Sequence, residues 1–362
     1  MDLFLLVGSS PYFCFVVIII SGLLFREKKI NNSSSGLPFV SVVIAARNEE
    51  ENISNLLDDL KEQNINKNKF EVIVSNDRSE DKTEQIINRY SEKNPFIKTI
   101  HITKKNDMTS KKHALEQAIN KSNGEIILAT DADCRVPKNW VTSMANLVNE
   151  ADRVVIGYSK IESKNRLINE IQKIDFLGIM AANGGLLTNG IVCSGSGQNL
   201  GYKKEDFYKI GGFEPVKDKE SGDDMYIVQA ISKIKGAVFN YDESSFVSTL
   251  PKKTLLEYIN QRIRWSSNSR YTIFTSPLFF CFLASAFLVN LNILLSIILF
   301  LDVIIILLFI KFFLEALVLY IGAKLFLTKF SAKSYVFWNL TQPFYIPIVA
   351  IGGLIGKFKW KQ

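Results

Sequence analysis

Two aspartates, Asp131 and Asp133, follow the apolar run EIILAT and lie two residues apart. Side chains at positions i and i+2 of an extended segment point the same way, so the two carboxylates would lie side by side. Such a pair is repulsive unless a proton or a cation lies between its members. Carboxylate oxygens suit Mg²⁺ or Mn²⁺, which keep coordination positions open for phosphate oxygens. The pair therefore predicts a metal–diphosphate site with Asp131 and Asp133 as metal ligands.

Polar residues also follow two earlier apolar runs. Arg47 and Glu49 come after VSVVIAA, and Asp77 comes after FEVIVS. The sequence has no GxxxxGKS or GxxxxGKT loop and no GxGxxG after the first run, so phosphates would be held by the metal and by Arg47 or Lys111. These absences argue against an ATPase and against a dinucleotide-dependent oxidoreductase. A lone aspartate after a strand is more often a helix N-cap, which is the role we expect for Asp81.

A second acidic pair, Asp223 and Asp224, ends a polar loop and opens the apolar helical run MYIV. Acids at a helix start have a plain structural role, because they cap the helix and oppose its macrodipole. The same pair could instead hold a general base. The residue types alone leave both roles open.

Three further residues, Gln261, Arg264 and Trp265, lie at i, i+3 and i+4 of an amphipathic segment and share one helix face. An arginine at a membrane edge usually contacts lipid headgroups. Grouped with a glutamine and a tryptophan, it also suits binding a diphosphate and stacking a sugar.

The segments that must position these side chains alternate between strands and helices. The predicted strands are Val40–Ala46, Phe70–Ser75, Ile97–Thr103 and Glu125–Thr130, and the predicted helices are Glu50–Gln63, Asp81–Tyr90 and Ser110–Lys121. This alternation indicates an α/β fold whose mostly parallel sheet is covered on both faces. Ligands of such sheets bind beyond the carboxyl ends of the strands, where the first group of polar residues would meet.

Apolar segments flank this region. Of the 362 residues, 3–25 carry no charge and 277–310 carry one, Asp302. Uncharged stretches of about 20 residues or more are typical of membrane spans, which excludes a wholly soluble enzyme. From Ser266 onward there are eight basic and two acidic residues, whereas residues 26–265 hold 35 basic and 33 acidic residues. Most of the net charge of +7 therefore comes from basic residues that flank the apolar segments. This location indicates membrane lipids and not nucleic acid as partners.

Arg26, Lys28 and Lys29 directly follow the first apolar run, so the positive-inside rule predicts an uncleaved anchor in the plasma membrane and a cytoplasmic catalytic domain. We expect an anchor over 1–25, a linker over 26–37, a catalytic domain over 38–252, an amphipathic interface helix over 253–276 and about three membrane helices over 277–362.

The C-terminal spans are predicted at about 278–300, 303–327 and 335–356. Lys311 and Glu315 lie one helical turn apart in the second span, where each is expected to neutralise the other. Pro343 and Pro347 leave a re-entrant or interfacial course open for the last segment.

Taken in order over about 38–266, these motifs resemble those of membrane-bound family 2 glycosyltransferases with a GT-A fold, such as ceramide glucosyltransferases and cellulose-synthase-like enzymes. The matching segments are VSVVIAARNEE, SNDRSED, SKKHAL, TDAD, GQNLGYKKEDFYKIGGFE, SGDD and QRIRW. Three positions depart from the family pattern: Asn76 replaces the first Asp of DDxSxD, Ser110 replaces the Gly of GKxxAL, and Asp223 replaces the Glu of the ED pair. Each short motif is weak alone, but the ordered set is a strong signal.

The resemblance implies a role for each matching residue of the donor site. Ala45, Arg47 and Glu49 would belong to the nucleotide-binding turn, Asp77 would bond a uracil-type base, and Lys111 would contact the diphosphate.

The same resemblance assigns the reacting groups. Asp131 would lie near the ribose and the diphosphate, and Asp133 would ligate the metal. Asp224 would be the base that deprotonates the acceptor, with Asp223 beside it. Gln261, Arg264 and Trp265 would bind the diphosphate and the acceptor end.

The expected reaction moves a sugar from a nucleotide-diphospho-sugar, with UDP as the expected nucleotide, to a lipid or polysaccharide acceptor. No residue has the features of a covalent nucleophile, so we expect a single displacement that inverts the anomeric centre. Two alternatives remain: a membrane nucleotidyltransferase, and a non-catalytic scaffold that binds nucleotide sugars. Both leave the intact acidic pair or QRIRW unexplained.

Overall fold

The computed structural model describes residues 2–26, 36–105, 107–162 and 166–356. The chain divides into two compact units. We call Lys28–Lys160 with Ser194–Leu250 the sheet unit, and Met1–Glu27 with Ile161–Cys193 and Pro251–Gln362 the helical unit. The stretch predicted as the catalytic domain, 38–252, is thus shared between both units, and most of the predicted linker lies outside the described residues.

The strands of the described chain are β1 Val40–Ala46, β2 Phe70–Asp77, β3 Ile97–Ile102, β4 Ile126–Ala129, β5 Val154–Gly157, β6 Ser159–Ile161, β7 Leu200–Lys203, β8 Ala237–Asn240 and β9 Val247–Thr249. Seven of them form one sheet in the order β3-β2-β1-β4-β7-β5-β8, and β6 pairs with β9. Strand β7 is antiparallel to β4 and β5, whereas the remaining pairs of the large sheet are parallel. The predicted mostly parallel sheet is confirmed.

The helices of the described chain are α1 Asp2–Leu24, α2 Ile53–Lys61, α3 Thr83–Lys93, α4 Ser110–Lys121, α5 Trp140–Ala151, α6 Leu167–Thr188, α7 Lys204–Lys209, α8 Asp223–Lys235, α9 Leu255–Ser266, α10 Ser269–Thr275, α11 Pro277–Ile298, α12 Val303–Leu325 and α13 Ala332–Ile355. Helices α2–α5, α7 and α8 belong to the sheet unit, and the others belong to the helical unit.

Burial on both faces explains why the central strands are continuous apolar runs. Val40, Val42 and Ile44 of β1 are fully buried, and every residue of β2 is buried. Strand β2 extends two residues beyond its predicted end because Asn76 and Asp77 still pair with β3. The sheet order places β2, β1 and β4 side by side and parallel, so the polar residues after these strands share one edge.

Three helices of the helical unit are long and apolar enough to cross a membrane: α1, α11 and α12. The predicted spans 3–25, 278–300 and 303–327 correspond to them. The segment predicted at 335–356 is helix α13, which contains Pro343 and Pro347. This helix is long enough to cross a membrane but is not among the helices that are also apolar enough.

Helices α1 and α6 cross at two glycines. A Cβ added to Gly22 would lie 1.9 Å from the carbonyl oxygen of Gly185, and one added to Gly185 would lie 2.4 Å from the carbonyl oxygen of Ile19. Small residues at such a crossing let two helix backbones approach closely, which is the usual way in which apolar helices pack tightly in a membrane.

Candidate active site

Lys111 of α4 lies at the centre of a group of carboxylates in the sheet unit. Its Nζ is 2.8 Å from Asp131 Oδ1 and 3.5 Å from Asp223 Oδ2. Burial alone would lower the pKa of Lys111, but Asp131, Asp223 and Asp224 outweigh burial and raise it. The lysine therefore stays cationic and joins the residues after β4 to the start of α8.

Helix α8 begins at the second acidic pair. Gly222 precedes it with φ of 84°, a left-handed conformation that a glycine adopts without strain. Asp224 Oδ2 accepts a hydrogen bond from the backbone N–H of Gly197 at 3.0 Å, and its Oδ1 accepts one from Met225 N–H at 2.8 Å. The carboxylate of Asp224 is thus held by backbone donors from its own helix and from the loop before β7.

Gly197 allows this close arrangement. A Cβ at this position would lie 3.3 Å from Lys111 Nζ and 3.8 Å from Asp223 Oδ2. The first distance is shorter than ordinary van der Waals contact, so a Cβ there would require the lysine ammonium to shift by a few tenths of an ångström. The sequence identified Gly197 only as the first residue of the matching segment GQNLGYKKEDFYKIGGFE, since nothing in the motif shows that α4 and α8 meet there.

Asp224 has an unusual electrostatic environment. Burial, and then the neighbouring charge of Asp223, raise the pKa of Asp224 from its ordinary 3.8 to about 6, although Lys111 and the two backbone N–H groups oppose the shift. A carboxyl group with a pKa near 6 is ionised at neutral pH and is more basic than an ordinary aspartate. Both roles predicted for the acidic pair, helix start and proton acceptor, are compatible with this geometry.

A pocket lies between these residues and the sheet. Its walls combine apolar and charged side chains: Lys111, Leu115, Ala129, Thr130, Asp131, Gly197, Leu200, Tyr202, Asp223, Asp224 and Ile227. Three predicted carboxylates and the predicted phosphate-binding lysine therefore line one cavity.

Asp131 and Asp133 lie in a turn, and the argument from strand alternation is wrong for them. Strand β4 ends at Ala129, one residue earlier than the run EIILAT suggested, and Cys134 N–H donates to Asp131 O at 3.1 Å. Asp131 faces Lys111, whereas Asp133 Oδ1 lies 3.7 Å from the Cys134 thiol. The two carboxylates have different partners.

The carboxylate oxygens of this turn are the type of ligand that a hard divalent cation prefers. Asp131 and Asp133 offer carboxylate oxygens at a partly exposed edge, and Mg²⁺ or Mn²⁺ commonly takes one or two carboxylates and completes its shell with phosphate and water. Within the described residues, no group of three or more His, Cys, Asp or Glu side chains could hold a metal by itself. A cation held by this turn could complete its shell with phosphate oxygens and water.

The turn that carries Asp131 and Asp133 is attached to α2 by an ion pair that the sequence did not reveal. Arg135 Nε and Nη2 donate to Asp59 Oδ2 and Oδ1 at 2.6 and 2.7 Å, and Val136 N–H donates to Asp59 Oδ2 at 3.1 Å. The backbone of Arg135 also pairs with Ser248. A two-pronged arginine–carboxylate contact of this kind gives a fixed geometry. Asp59 lies in an ordinary amphipathic helix, so no local pattern indicated this role.

Asp77 lies at the end of β2 and is already engaged by two side chains. Arg78 Nε donates to Asp77 Oδ1 at 2.7 Å, and the Ser110 hydroxyl donates to the other oxygen. Burial alone would raise the pKa of Asp77, but Arg78 and Ser110 lower it, so the group is a carboxylate at neutral pH. Ser110, which replaces the glycine of the family motif, therefore supports the residue predicted to bond the base.

The same edge contains buried polar atoms without a partner. Arg47 Nη1 lies 3.5 Å from Ser110 Oγ, but Arg47 Nε finds no hydrogen bond among the described residues. The same holds for three oxygens at this edge: Ser75 Oγ, Asn76 Oδ1 and Thr130 Oγ1. Buried polar groups are normally satisfied, so these atoms could accept a hydrogen bond from, or donate one to, a ligand or water at this edge.

The remaining predicted residues of the first strand end have local roles. Ala45 is the partly exposed member of β1, and Glu49 accepts a hydrogen bond from Asn52 Nδ2 at 2.9 Å. Asp81 accepts from Thr83 N–H at 2.9 Å and from Glu50 N–H at 3.0 Å. The predicted N-cap role of Asp81 is wrong, because Lys82 is the N-cap residue of α3, although the Asp81 carboxylate bonds the first residue of that helix.

Gln261, Arg264 and Trp265 lie on α9 in the helical unit, whereas the carboxylates lie in the sheet unit. The predicted helix of QRIRW is confirmed. Within the helical unit the Trp265 ring contacts Phe176 of α6, with ring centroids 6.0 Å apart.

Comparisons with known proteins show which families and structures this chain is similar to. Residues 41–211 match the family described as Glycosyl transferase family 2. A probable glycosyltransferase of Bacillus subtilis, YdaM, is 28% identical over 241 residues, which cover 66% of this chain and 56% of that protein. The poly-beta-1,6-N-acetyl-D-glucosamine synthase of Staphylococcus aureus is 25% identical over 269 residues, which cover 74% of this chain and 62% of the synthase. The chain thus spans less than two thirds of these relatives.

One solved structure matches nearly the whole chain. The mannosyltransferase PcManGT from Pyrobaculum calidifontis, in complex with GDP-Man and Mn²⁺, aligns with a TM-score of 0.64 and 21% identity. The alignment covers 98% of this chain and 99% of the mannosyltransferase. At this identity the likeness shows a shared fold.

Proposed function

Because residues 41–211 match glycosyl transferase family 2 and the chain has a GT-A-like fold, we propose that it transfers a sugar from a nucleotide-diphospho-sugar to an acceptor hydroxyl at a membrane. The observation that carries this proposal is the pocket in which Lys111 and Asp131 face Asp223 and Asp224. A cation for phosphate and a carboxylate with a pKa near 6 lie in one cavity, which is what a transfer from a diphosphate to a hydroxyl needs.

The donor would bind along the carboxyl ends of β1, β2 and β4. Asp77, Ala45, Arg47 and Glu49 would hold the nucleotide, with Ser110 fixing Asp77, and Lys111 would contact the diphosphate. UDP is the first nucleotide to test. GDP is the second, because the mannosyltransferase with the shared fold holds GDP-Man.

Asp131 and Asp133 would hold Mg²⁺ or Mn²⁺ together with the donor phosphates, and Mn²⁺ accompanies GDP-Man in the mannosyltransferase structure. When bound, a divalent cation supplies positive charge that neutralises the leaving diphosphate. Lys111 supplies charge of the same sign from the protein itself.

The chemical step would be a single displacement that inverts the anomeric centre. Asp224 would accept the acceptor proton as the hydroxyl oxygen attacks the anomeric carbon, and the bond to the diphosphate would break. Asp223 keeps Asp224 basic through its charge, and the Gly197 and Met225 N–H groups hold the carboxylate in place.

The acceptor would be a lipid or a glycan delivered at the membrane. We assign acceptor and diphosphate binding to Gln261, Arg264 and Trp265 from their match to the family motif. The spanning-type helices α1, α11 and α12 would anchor the protein in the plasma membrane, with the sheet unit in the cytoplasm where nucleotide sugars are made.

The orientation has its own test. A variant that lacks Cys14 and Cys281 and carries Glu92→Cys would present a thiol at an exposed position of α3. An impermeant thiol reagent should label it only after intact cells are opened. Strong labelling of intact cells would place the sheet unit outside and would contradict access to cytoplasmic donors.

The reaction class is tested by a donor screen. Purified protein is incubated with UDP- and GDP-sugars, with Mn²⁺, Mg²⁺ or EDTA, and the released nucleotide is identified. The proposal predicts metal-dependent release of a nucleoside diphosphate with one donor, and its loss in Asp133→Asn. Pyrophosphate release would instead indicate a nucleotidyltransferase. Binding of a donor with no release under any condition would indicate a scaffold.

A further inference from the structure

Arg262, the second residue of QRIRW, forms a buried ion pair in the helical unit. Its side chain is 4% exposed, and its Nε donates to Asp175 Oδ2 of α6 at 2.8 Å. The other oxygen of Asp175 accepts from Trp338 Nε1 of α13 at 3.3 Å. One edge of the guanidinium is therefore fixed by a carboxylate that is itself held in place.

Aromatic rings enclose the rest of this guanidinium. Its Cζ lies 4.1 Å from the ring centroid of Trp265, 4.9 Å from that of Tyr258 and 6.0 Å from that of Phe176. The terminal nitrogens Nη1 and Nη2 find no hydrogen-bond partner in the part of the chain that the structure describes. Attraction between the cation and the ring faces partly replaces those bonds, and it is strongest when the pair is removed from water.

This geometry couples the indole to the ion pair. A guanidinium fixed at one edge presents a flat face in a defined direction. The centroid of the Trp265 ring lies 4.1 Å from the Cζ atom of this guanidinium. Phe176, next to Asp175 in the chain, borders the same indole. We propose that Arg262, held by Asp175, is a positioning residue that sets the orientation of the Trp265 indole. The consequence for acceptor binding rests on the role proposed above for Trp265.

The alternative is that Arg262 only fastens α9 to α6. Lysine at this position distinguishes the two roles, because an ammonium keeps the ion pair with Asp175 but has no planar face for the indole. A purely structural pair would tolerate Arg262→Lys with a change in stability alone. If the pair positions Trp265, Arg262→Lys would leave the protein folded, but the indole would no longer be held in one orientation.

The test is a near-ultraviolet circular dichroism comparison in detergent. The spectrum of the wild type minus that of Trp265→Phe isolates the band of the oriented indole, and the same subtraction is made in the Arg262→Lys background. We expect the band to fall severalfold with Arg262→Lys. The matched control is Arg270→Lys, which alters an exposed arginine lying 5.2 Å from the Tyr271 ring on α10 and should leave the band unchanged. An undiminished Trp265 band in folded Arg262→Lys protein overturns the proposal.

A second readout uses transfer of labelled sugar, from the donor found in the screen, to vesicles of the host's total lipid extract. Arg262→Lys should lower the rate at limiting extract by about tenfold, change it little at saturation, and have no added effect in Trp265→Ala protein. Equal effects of Arg262→Lys in both backgrounds would contradict action through Trp265. If no donor turns over, the enzymatic proposal fails, and the dichroism band alone decides the orientation.

Discussion

At the scale of single residues, the site depends on opposing electrostatic effects on Asp224. Burial and Asp223 make its ionisation less favourable, whereas Lys111 and two backbone N–H groups make it more favourable. The result is a carboxyl group whose pKa, about 6, lies between those of an ordinary aspartate and a histidine. A helix cap would need no such balance, so this environment favours the role of proton acceptor.

The raised pKa of Asp224 predicts the pH dependence of turnover. A general base acts in its deprotonated form, so the rate should fall as the pH decreases through about 6 and should level off above that value. An ordinary aspartate, with a pKa of about 3.9, would keep full activity down to about pH 5. The measurement is kcat between pH 5 and 8 with donor and acceptor saturating. A flat profile over this range would remove Asp224 from the proton transfer.

At the scale of elements, the turn after β4 depends on its attachment to α2. Asp59→Ala removes both bonds to Arg135 and the bond to Val136 N–H, so the turn that carries Asp131 and Asp133 should become less ordered. We expect metal-dependent donor affinity to fall by about five- to tenfold, because a misplaced ligand shell binds the cation less well. Isothermal titration with the nucleotide sugar and Mn²⁺ measures it.

The neighbouring residue supplies a matched control. Asp58 is exposed and forms a surface ion pair with Lys61 at 3.2 Å, away from the turn after β4, so Asp58→Ala should leave donor affinity unchanged. Equal losses in the two variants would mean that α2 acts through its general stability, and the proposed attachment of the turn would be wrong.

The same scale shows what the sequence could and could not predict. Strand β1 and helix α4 have the predicted bounds. The spacing of apolar residues that identifies each of them lies entirely within its own segment of the sequence. The position of Lys111 between Asp131 and Asp223 depends on the order β1-β4-β7, which no local pattern gives. Helix α6 belongs to the helical unit because it packs on α1, about 160 residues away in the chain, where only two glycines mark the crossing.

At the scale of the whole molecule, a buried polar network joins several helices of the helical unit. Lys311 Nζ is 2.9 Å from Glu315 Oε2 and 3.0 Å from Gln342 Oε1, and Asn339 Nδ2 is 2.7 Å from Glu315 Oε2. Tyr12 of α1 donates to the other oxygen of Glu315 at 2.5 Å. The predicted neutralisation of Lys311 by Glu315 is confirmed, and the network also joins α12 to α1 and α13.

This network predicts the effect of removing one charge. Glu315→Ala leaves the fully buried Lys311 without its counter-ion, and breaking a buried pair in this way costs about 3–5 kcal/mol. We expect a clear loss of thermal stability in detergent. The double variant Lys311→Met with Glu315→Leu should recover much of it, because an apolar pair needs no counter-ion. Similar melting of Glu315→Ala and the wild type would show that the pair contributes little.

The central claim, sugar transfer with Asp224 as the base, is tested most directly by Asp224→Asn. Asparagine keeps the shape, and its amide oxygen can accept one of the two backbone hydrogen bonds, but it cannot accept the proton. The account predicts that kcat falls by about 10²–10⁴-fold, as loss of a general base requires, while the Kd for the nucleotide sugar stays within about twofold. Both are measured on the same purified protein, with labelled donor for turnover and titration calorimetry for binding. A variant that transfers sugar at close to the wild-type rate would contradict the account.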